Sequence, residues 1–193
     1  MLHDLHKKIA SFKPKYKHDS AALITISEAI IASKEGNYGI GACLINEITG
    51  EIILRGHNRL FKPYFRSDMH AEMDVLNQYE NKNKNQNSKS DELVLYTSLE
   101  PCPMCLTRII TAGIQKTYYL SKEPYSGMVH LLNNLPPIWQ EIASGRIYEE
   151  AQCSEELKEM SKEVFLFSSK ILDERLRNGN NKRLYPRDNR SNI

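Results

Sequence analysis

Leu93-Val94-Leu95-Tyr96-Thr97 runs within a few residues into Pro101-Cys102-Pro103-Met104-Cys105, and the passage from one to the other decides the fold. The first five residues are a short, almost wholly apolar run of strand type. Pro103, with its fixed φ and missing N–H, suits the first position of a helix, which makes Cys102 the N-cap. A buried strand feeding directly into a helix is the unit of an α/β architecture.

Outward from this unit the same alternation continues. Upstream, Asp19 or Ser20 can cap a helix carrying Leu23, Ile26 and Ile30 at helical spacing, with Gly36 placed to end it. Ile40 to Ile45 and Glu51 to Gly56 form a strand hairpin about Asn46, Glu47, Thr49 and Gly50. Met69 to Tyr79 follows as a helix with Met73 and Leu76 inward. Downstream, Lys116 to Leu120 is a fourth strand and Arg146 to Glu149 a fifth, with loops and a short helix between them. Ser154 opens a last helix, which Gly179 closes. The expected fold is an α/β three-layer α/β/α sandwich around a mixed sheet of about five strands. Its segments are a basic lead-in at 1–18, one domain at 19–177 with a flexible, Asn/Lys-rich insertion at 81–90, and a basic tail at 178–193.

Bulk properties narrow the field. A chain of 193 residues with net charge +2 is mildly basic, too mildly to signal nucleic acid by itself. The charge is concentrated instead: Lys7, Lys8, Lys13, Lys15 and Lys17 at one end, and Arg175, Arg177, Lys182, Arg183, Arg187 and Arg190 at the other. Glu149, Glu150, Glu155, Glu156, Glu159 and Glu163 lie between them. The ends read as solvated, partly disordered tails. No stretch approaches the roughly 20 apolar residues of a membrane span, and the start lacks the apolar core of a signal peptide. The four cysteines form no disulfide framework. A soluble protein of a reducing compartment, most simply the cytoplasm, is expected.

Two segments carry chemistry: His70-Ala71-Glu72 and Cys102-Pro103-Met104-Cys105. Cysteines three apart on the first turn of a helix place both sulfurs on one side, where they can grip one ion. Helix N-termini favour thiolates. Three ligands, His70, Cys102 and Cys105, leave a fourth position to water, the arrangement of catalytic rather than structural zinc. Glu72 remains free to move protons. A Cys-x-x-Cys pair alone also fits a structural knuckle or a redox couple, but neither employs His70 and Glu72. Cys43 and Cys153 read as buried structural residues, Trp139 as a packing anchor, and His130 as a surface or core histidine.

H-x-E followed by P-C-x-x-C is the signature of zinc-dependent base deaminases. With Leu99 and Glu100 included, the chain resembles the cytidine deaminase superfamily, and within it the branch of tRNA adenosine, guanine and cytosine deaminases. That resemblance implies one Zn2+ per chain, hydrolytic release of ammonia from the exocyclic amine of a nucleobase, nucleoside or nucleotide, and a homodimer with sites near its interface. It also implies that Asn58 hydrogen-bonds the target base. Without it, Asn58 reads as a turn cap; His57 reads as a neighbour on the opposite face in either case. Gly39-Ile40 and Asp68-Met69 depart from the branch's usual residues beside the expected pocket, so they bear on substrate choice. A small-molecule purine or pyrimidine is preferred, because the basic residues cluster at the ends. The alternative is adenosine in a tRNA anticodon loop, with the Arg-rich tail on phosphates. A reading from another class is a catalytically silent member that binds nucleic acid or a partner, against which the retention of Glu72 argues.

Overall fold

The computed structural model describes residues 1–83 and 92–178. Its helices are α1 (Leu2–Ser11), α2 (Asp19–Glu35), α3 (Ala71–Lys82), α4 (Pro103–Thr111), α5 (Pro137–Ala143) and α6 (Glu155–Asn178). Its strands are β1 (Gly41–Asn46), β2 (Ile52–His57), β3 (Leu93–Leu99), β4 (Lys116–Ser121) and β5 (Ile147–Glu150), and a 3-10 helix spans Val129–Asn134.

The five strands lie in the order β2-β1-β3-β4-β5. β1 pairs antiparallel with β2 and with β3, opposing Ala42 to Gly56 and to Thr97. β3, β4 and β5 run parallel, so the sheet is mixed as expected. β3 is central, and all seven of its residues are buried, which explains why it reads as a nearly continuous apolar run rather than an alternating one.

Alternate residues of the sheet serve two cores. Cys43, Val94, Tyr96, Tyr118 and Leu120 pack against Ala22, Ile26, Ile30, Leu157 and Val164 of α2 and α6. Ala42, Leu44, Leu54 and Leu95 pack against Ala71, Val75, Leu76 and Ile109 of α3 and α4. Helices therefore cover both faces, as the three-layer expectation requires. Gly56 sets how close α3 comes to the sheet, since a Cβ there would fall 2.8 Å from both Asp74 Oδ2 and Val75 Cγ2.

Several local readings change. Residues 2–11, expected within a solvated lead-in, form α1; its Leu5 and Ile9 are spaced four apart and buried against the α2/α6 core. Asp19 does not cap α2. His18 holds the N-cap position, and the Asp19 carboxylate accepts bonds from the N–H groups of Lys15, Tyr16 and Ser154 and from the Ser154 hydroxyl. Gly36 does end α2, in the left-handed region at φ 88°. Helix α3 starts at Ala71 and continues through Lys82, so the first residues of the 81–90 segment are helical. The remainder of that segment lies outside the described residues, as do Gly179 and the tail beyond Asn178. Among the described residues no helix is long and apolar enough to cross a membrane.

Candidate metal centre

The N-termini of α3 and α4 meet over the C-terminal end of β3. His70 is the N-cap of α3 and Cys102 the N-cap of α4, both with extended backbone at φ −77°, ψ 166° and φ −70°, ψ 170°. Neither side chain caps its own helix. Ser, Thr, Asp or Asn ordinarily hold this position because they satisfy the helix's first N–H groups. Here the two side chains are released toward each other, and Cys105, one turn into α4 and buried, joins them.

The His70 Nδ1 atom lies 3.6 Å from Cys102 Sγ and 3.5 Å from Cys105 Sγ. All three ligand atoms fall within 4.8 Å of one another. Tetrahedral coordination with metal–sulfur and metal–nitrogen lengths of about 2.3 and 2.0 Å requires a sulfur–nitrogen separation of about 3.5 Å. The geometry and the donor set of two sulfurs and one imidazole therefore fit zinc.

Electrostatics point the same way. The hydrogen bond from Cys105, with further help from the His70 ring, brings the Cys102 thiol down to about 4 despite its burial. The same shared proton, together with burial, pushes Cys105 well up. Burial pushes His70 down, but the bond to Cys102 and the surrounding negative charge outweigh it and hold the imidazole above its ordinary value. A buried pocket of acidic groups converging on one imidazole attracts a cation.

Glu72 borders this group and is 3 % exposed. Its Oε2 accepts from Cys105 Sγ at 3.3 Å, and its Oε1 accepts from the Thr97 hydroxyl at 3.1 Å. Burial, then the Cys102 charge, push its carboxyl up, with His70 opposing. Thr97 did not stand out from the sequence. Its signal was a hydroxyl within a strand otherwise dense in apolar residues, since a fully buried polar side chain needs a partner.

Glu100 is a second residue that the motif contained without a role. Its carboxylate accepts from the N–H groups of Glu123 and His130, and its Oε1 lies 2.8 Å from His130 Nδ1. The segment after β4 is thereby tied to the cysteine loop, to which Met128 N–H adds a bond to the Pro101 carbonyl. His130 is thus a surface histidine with one paired nitrogen, and Trp139 packs beside Leu106 and Ile110. Cys43 and Cys153 are buried in the α2/α6 core.

Asn58 lies at the end of β2 and is 1 % exposed. Its N–H donates to the Ile40 carbonyl, and its Oδ1 accepts from Leu60 N–H at 3.1 Å. The turn-capping role is thus present, leaving the amide NH2 for any ligand. Gly39-Ile40 adjoins Asn58 through the Ile40 carbonyl, and Gly39 itself also meets α6. Its N–H donates to Ser168 Oγ, and a Cβ there would stand 2.6 Å from Val164 Cγ1, so packing against α6 accounts for the glycine. Asp68 is paired through both oxygens with Arg66 at 2.9 and 2.6 Å, which steadies the loop leading to His70.

Fold and site together define a protein with an α/β/α sandwich, a two-cysteine, one-histidine metal centre and a buried glutamate beside it. The chain belongs to the cytidine and deoxycytidylate deaminase zinc-binding family, whose model matches residues 16–121. It is 37% identical over 110 residues to the tRNA-specific adenosine deaminase of Bacillus subtilis, a match covering 57% of this chain and 65% of that enzyme. The chain thus spans slightly less than two thirds of that relative. The Aquifex aeolicus tRNA-specific adenosine deaminase is 27% identical over 143 residues, 73% of this chain and 91% of that one. Among solved structures, the guanine deaminase of Nitrosomonas europaea superposes with a TM-score of 0.63 at 16% identity, covering 85% of this chain and 91% of that one. A structure from a study of A-to-I editing by tRNA:A34 deaminases gives 0.62 at 24%, covering 75% and 98%. At these identities the structures share the fold.

Proposed function

We propose that the protein is a zinc-dependent hydrolase that replaces the exocyclic amine of a nucleobase with oxygen and releases ammonia. The observation that carries this is the placement of Glu72, whose carboxylate touches Cys105 and Thr97 at the edge of the three-ligand group. His70 Nδ1, Cys102 Sγ and Cys105 Sγ would hold the ion. When bound, zinc supplies a Lewis acid that makes water nucleophilic near neutral pH. Glu72 takes one proton from the attacking water at its carboxylate and passes it to the ring nitrogen. It then transfers the second to the departing amine, so that water and an amidine carbon become a carbonyl and ammonia. Thr97 fixes the carboxylate for both transfers, and its burial excludes bulk water. Asn58 is assigned to the base through its free amide NH2.

Two substrates fit the site, a free base, nucleoside or nucleotide, and adenosine within a tRNA. The second is favoured by the Bacillus subtilis and Aquifex aeolicus relatives, which are named tRNA-specific adenosine deaminases; a Candida albicans relative named cytosine deaminase, 27% identical over 93 residues, supports the first. Ammonia release measured across adenine, guanine, cytosine, their nucleosides and nucleotides, and tRNA separates them. The proposal expects release from tRNA adenosine above all others, and failure of every substrate would overturn it. The proposal extends to a reducing compartment such as the cytoplasm, supported by four cysteines without a disulfide among the described residues, and to a homodimer, which the family resemblance implies. Light scattering after size exclusion reads the dimer.

A further inference from the structure

The last residue of β2, His57, lies outside the metal centre, yet its ring is buried between two carboxylates. Nδ1 stands 2.9 Å from Glu28 Oε2 and Nε2 stands 3.1 Å from Glu35 Oε2. The two glutamates are seven residues apart on α2, two turns along one face. Both contacts are hydrogen bonds only if both ring nitrogens carry protons, because carboxylates accept and do not donate.

The imidazole thus straps the end of β2 to α2, while the backbone N–H of the same residue donates to Asp74 Oδ2 of α3 at 3.2 Å. Arg59, two residues on, reaches that same oxygen at 3.6 Å, and its N–H donates to the Met69 carbonyl beside His70. The turn holding Asn58 is consequently anchored on one side by His57 and on the other by Arg59. We propose that doubly protonated His57 is a positioning residue: it clamps the Asn58 turn to α2, and substrate affinity falls when the clamp loses its proton. This rests on the reading of Asn58 as the base-contacting residue.

The charged groups facing the ring are Glu28 and Glu35 from α2, Arg59 from its own turn, and Asp74 from α3. Burial pushes the imidazole down, but the bond to Glu28 and the charge of Glu35 outweigh burial and Arg59, holding it above the ordinary histidine value. A pKa raised in the folded state contributes fully below the unfolded value of about 6.5 and is lost as pH rises through the folded value. The clamp is therefore closed below the ordinary histidine range and opens as pH rises through the raised folded value.

The test pairs hydrogen exchange of the Leu60 amide, which donates to Asn58, with steady-state kinetics across pH. In the native chain, exchange of Leu60 beyond its intrinsic base catalysis rises as His57 deprotonates. KM rises about tenfold in step, the effect of one charged hydrogen bond, while kcat holds. Glu35→Gln, at a half-exposed site that tolerates change, moves both onsets to lower pH. His57→Gln leaves Leu60 unprotected and KM elevated at every pH. Leu60 exchange or KM in His57→Gln that follows the native pH profile overturns the proposal, as does a KM in Glu35→Gln that keeps the native onset. Loss of turnover on all bases with the exchange profile intact counts against the proposed activity and in favour of the clamp.

Discussion

The two faces of the sheet bury polar groups to different ends. On the α2/α6 face, Asp19 is fully buried, and its bonds go to backbone N–H groups of Lys15, Tyr16 and Ser154 and to the Ser154 hydroxyl. It joins the start of α2 to the start of α6, residues 135 apart in sequence. On the α3/α4 face, the side chains of His70, Cys102, Cys105, Glu72 and Thr97 bond to one another. Burial and polarity are similar in the two places, and the partners differ. An acid whose lone pairs are filled by backbone donors closes the architecture, whereas two thiols and a carboxylate converging on an imidazole form a group that can hold a cation.

The comparison breaks most severely at His70. His70→Ala removes one of three ligands and is expected to lower zinc affinity by more than about a hundredfold, beyond what loss of a supporting group causes. Activity should vanish with the metal, as elemental analysis and ammonia release on the same preparation would show. Asp19→Ala should do the reverse. It leaves buried N–H donors unpaired and costs about 3 kcal/mol of stability, read from the urea midpoint, while zinc per folded chain is unchanged.

Asp19 also carries a pH signature. Its backbone and hydroxyl bonds outweigh burial and hold its carboxyl below the usual range. A depressed folded pKa contributes stability above the unfolded value of about 3.9 that is lost as pH falls through the folded one. Asp19→Asn should therefore flatten part of the acid limb of the unfolding midpoint against pH. The smallest effect belongs to Thr97→Val, which removes one hydroxyl bond to Glu72 and should lower kcat about tenfold. Zinc content and KM should hold.

Much of this contrast is legible in the sequence, and the residues that are not share a cause. His70, Glu72, Cys102 and Cys105 declare themselves because their chemistry depends on spacing along two short segments, and Pro103 locates the helix that aims the sulfurs. The sheet was readable because β3 is buried on both faces and β1 and β2 flank a short turn. Helix α1 escaped because its lysines dominate its composition, while its two buried residues, Leu5 and Ile9, acquire meaning only against a core assembled by α2 and α6. Asp19 read as a local cap because its decisive partner, Ser154, is remote in sequence. Thr97, Glu100 and the two carboxylates about His57 were silent for the same reason: each depends on which face of which strand meets which helix.

The central claim is that Glu72 moves protons and does not hold the metal. Its most direct test is zinc content and ammonia release measured together on Glu72→Ala, using whichever substrate the native chain turns over. The account predicts one zinc per chain, as in the native protein, with turnover reduced by about 10² to 10⁴-fold. Native-like turnover in that variant, or loss of its zinc, would contradict it.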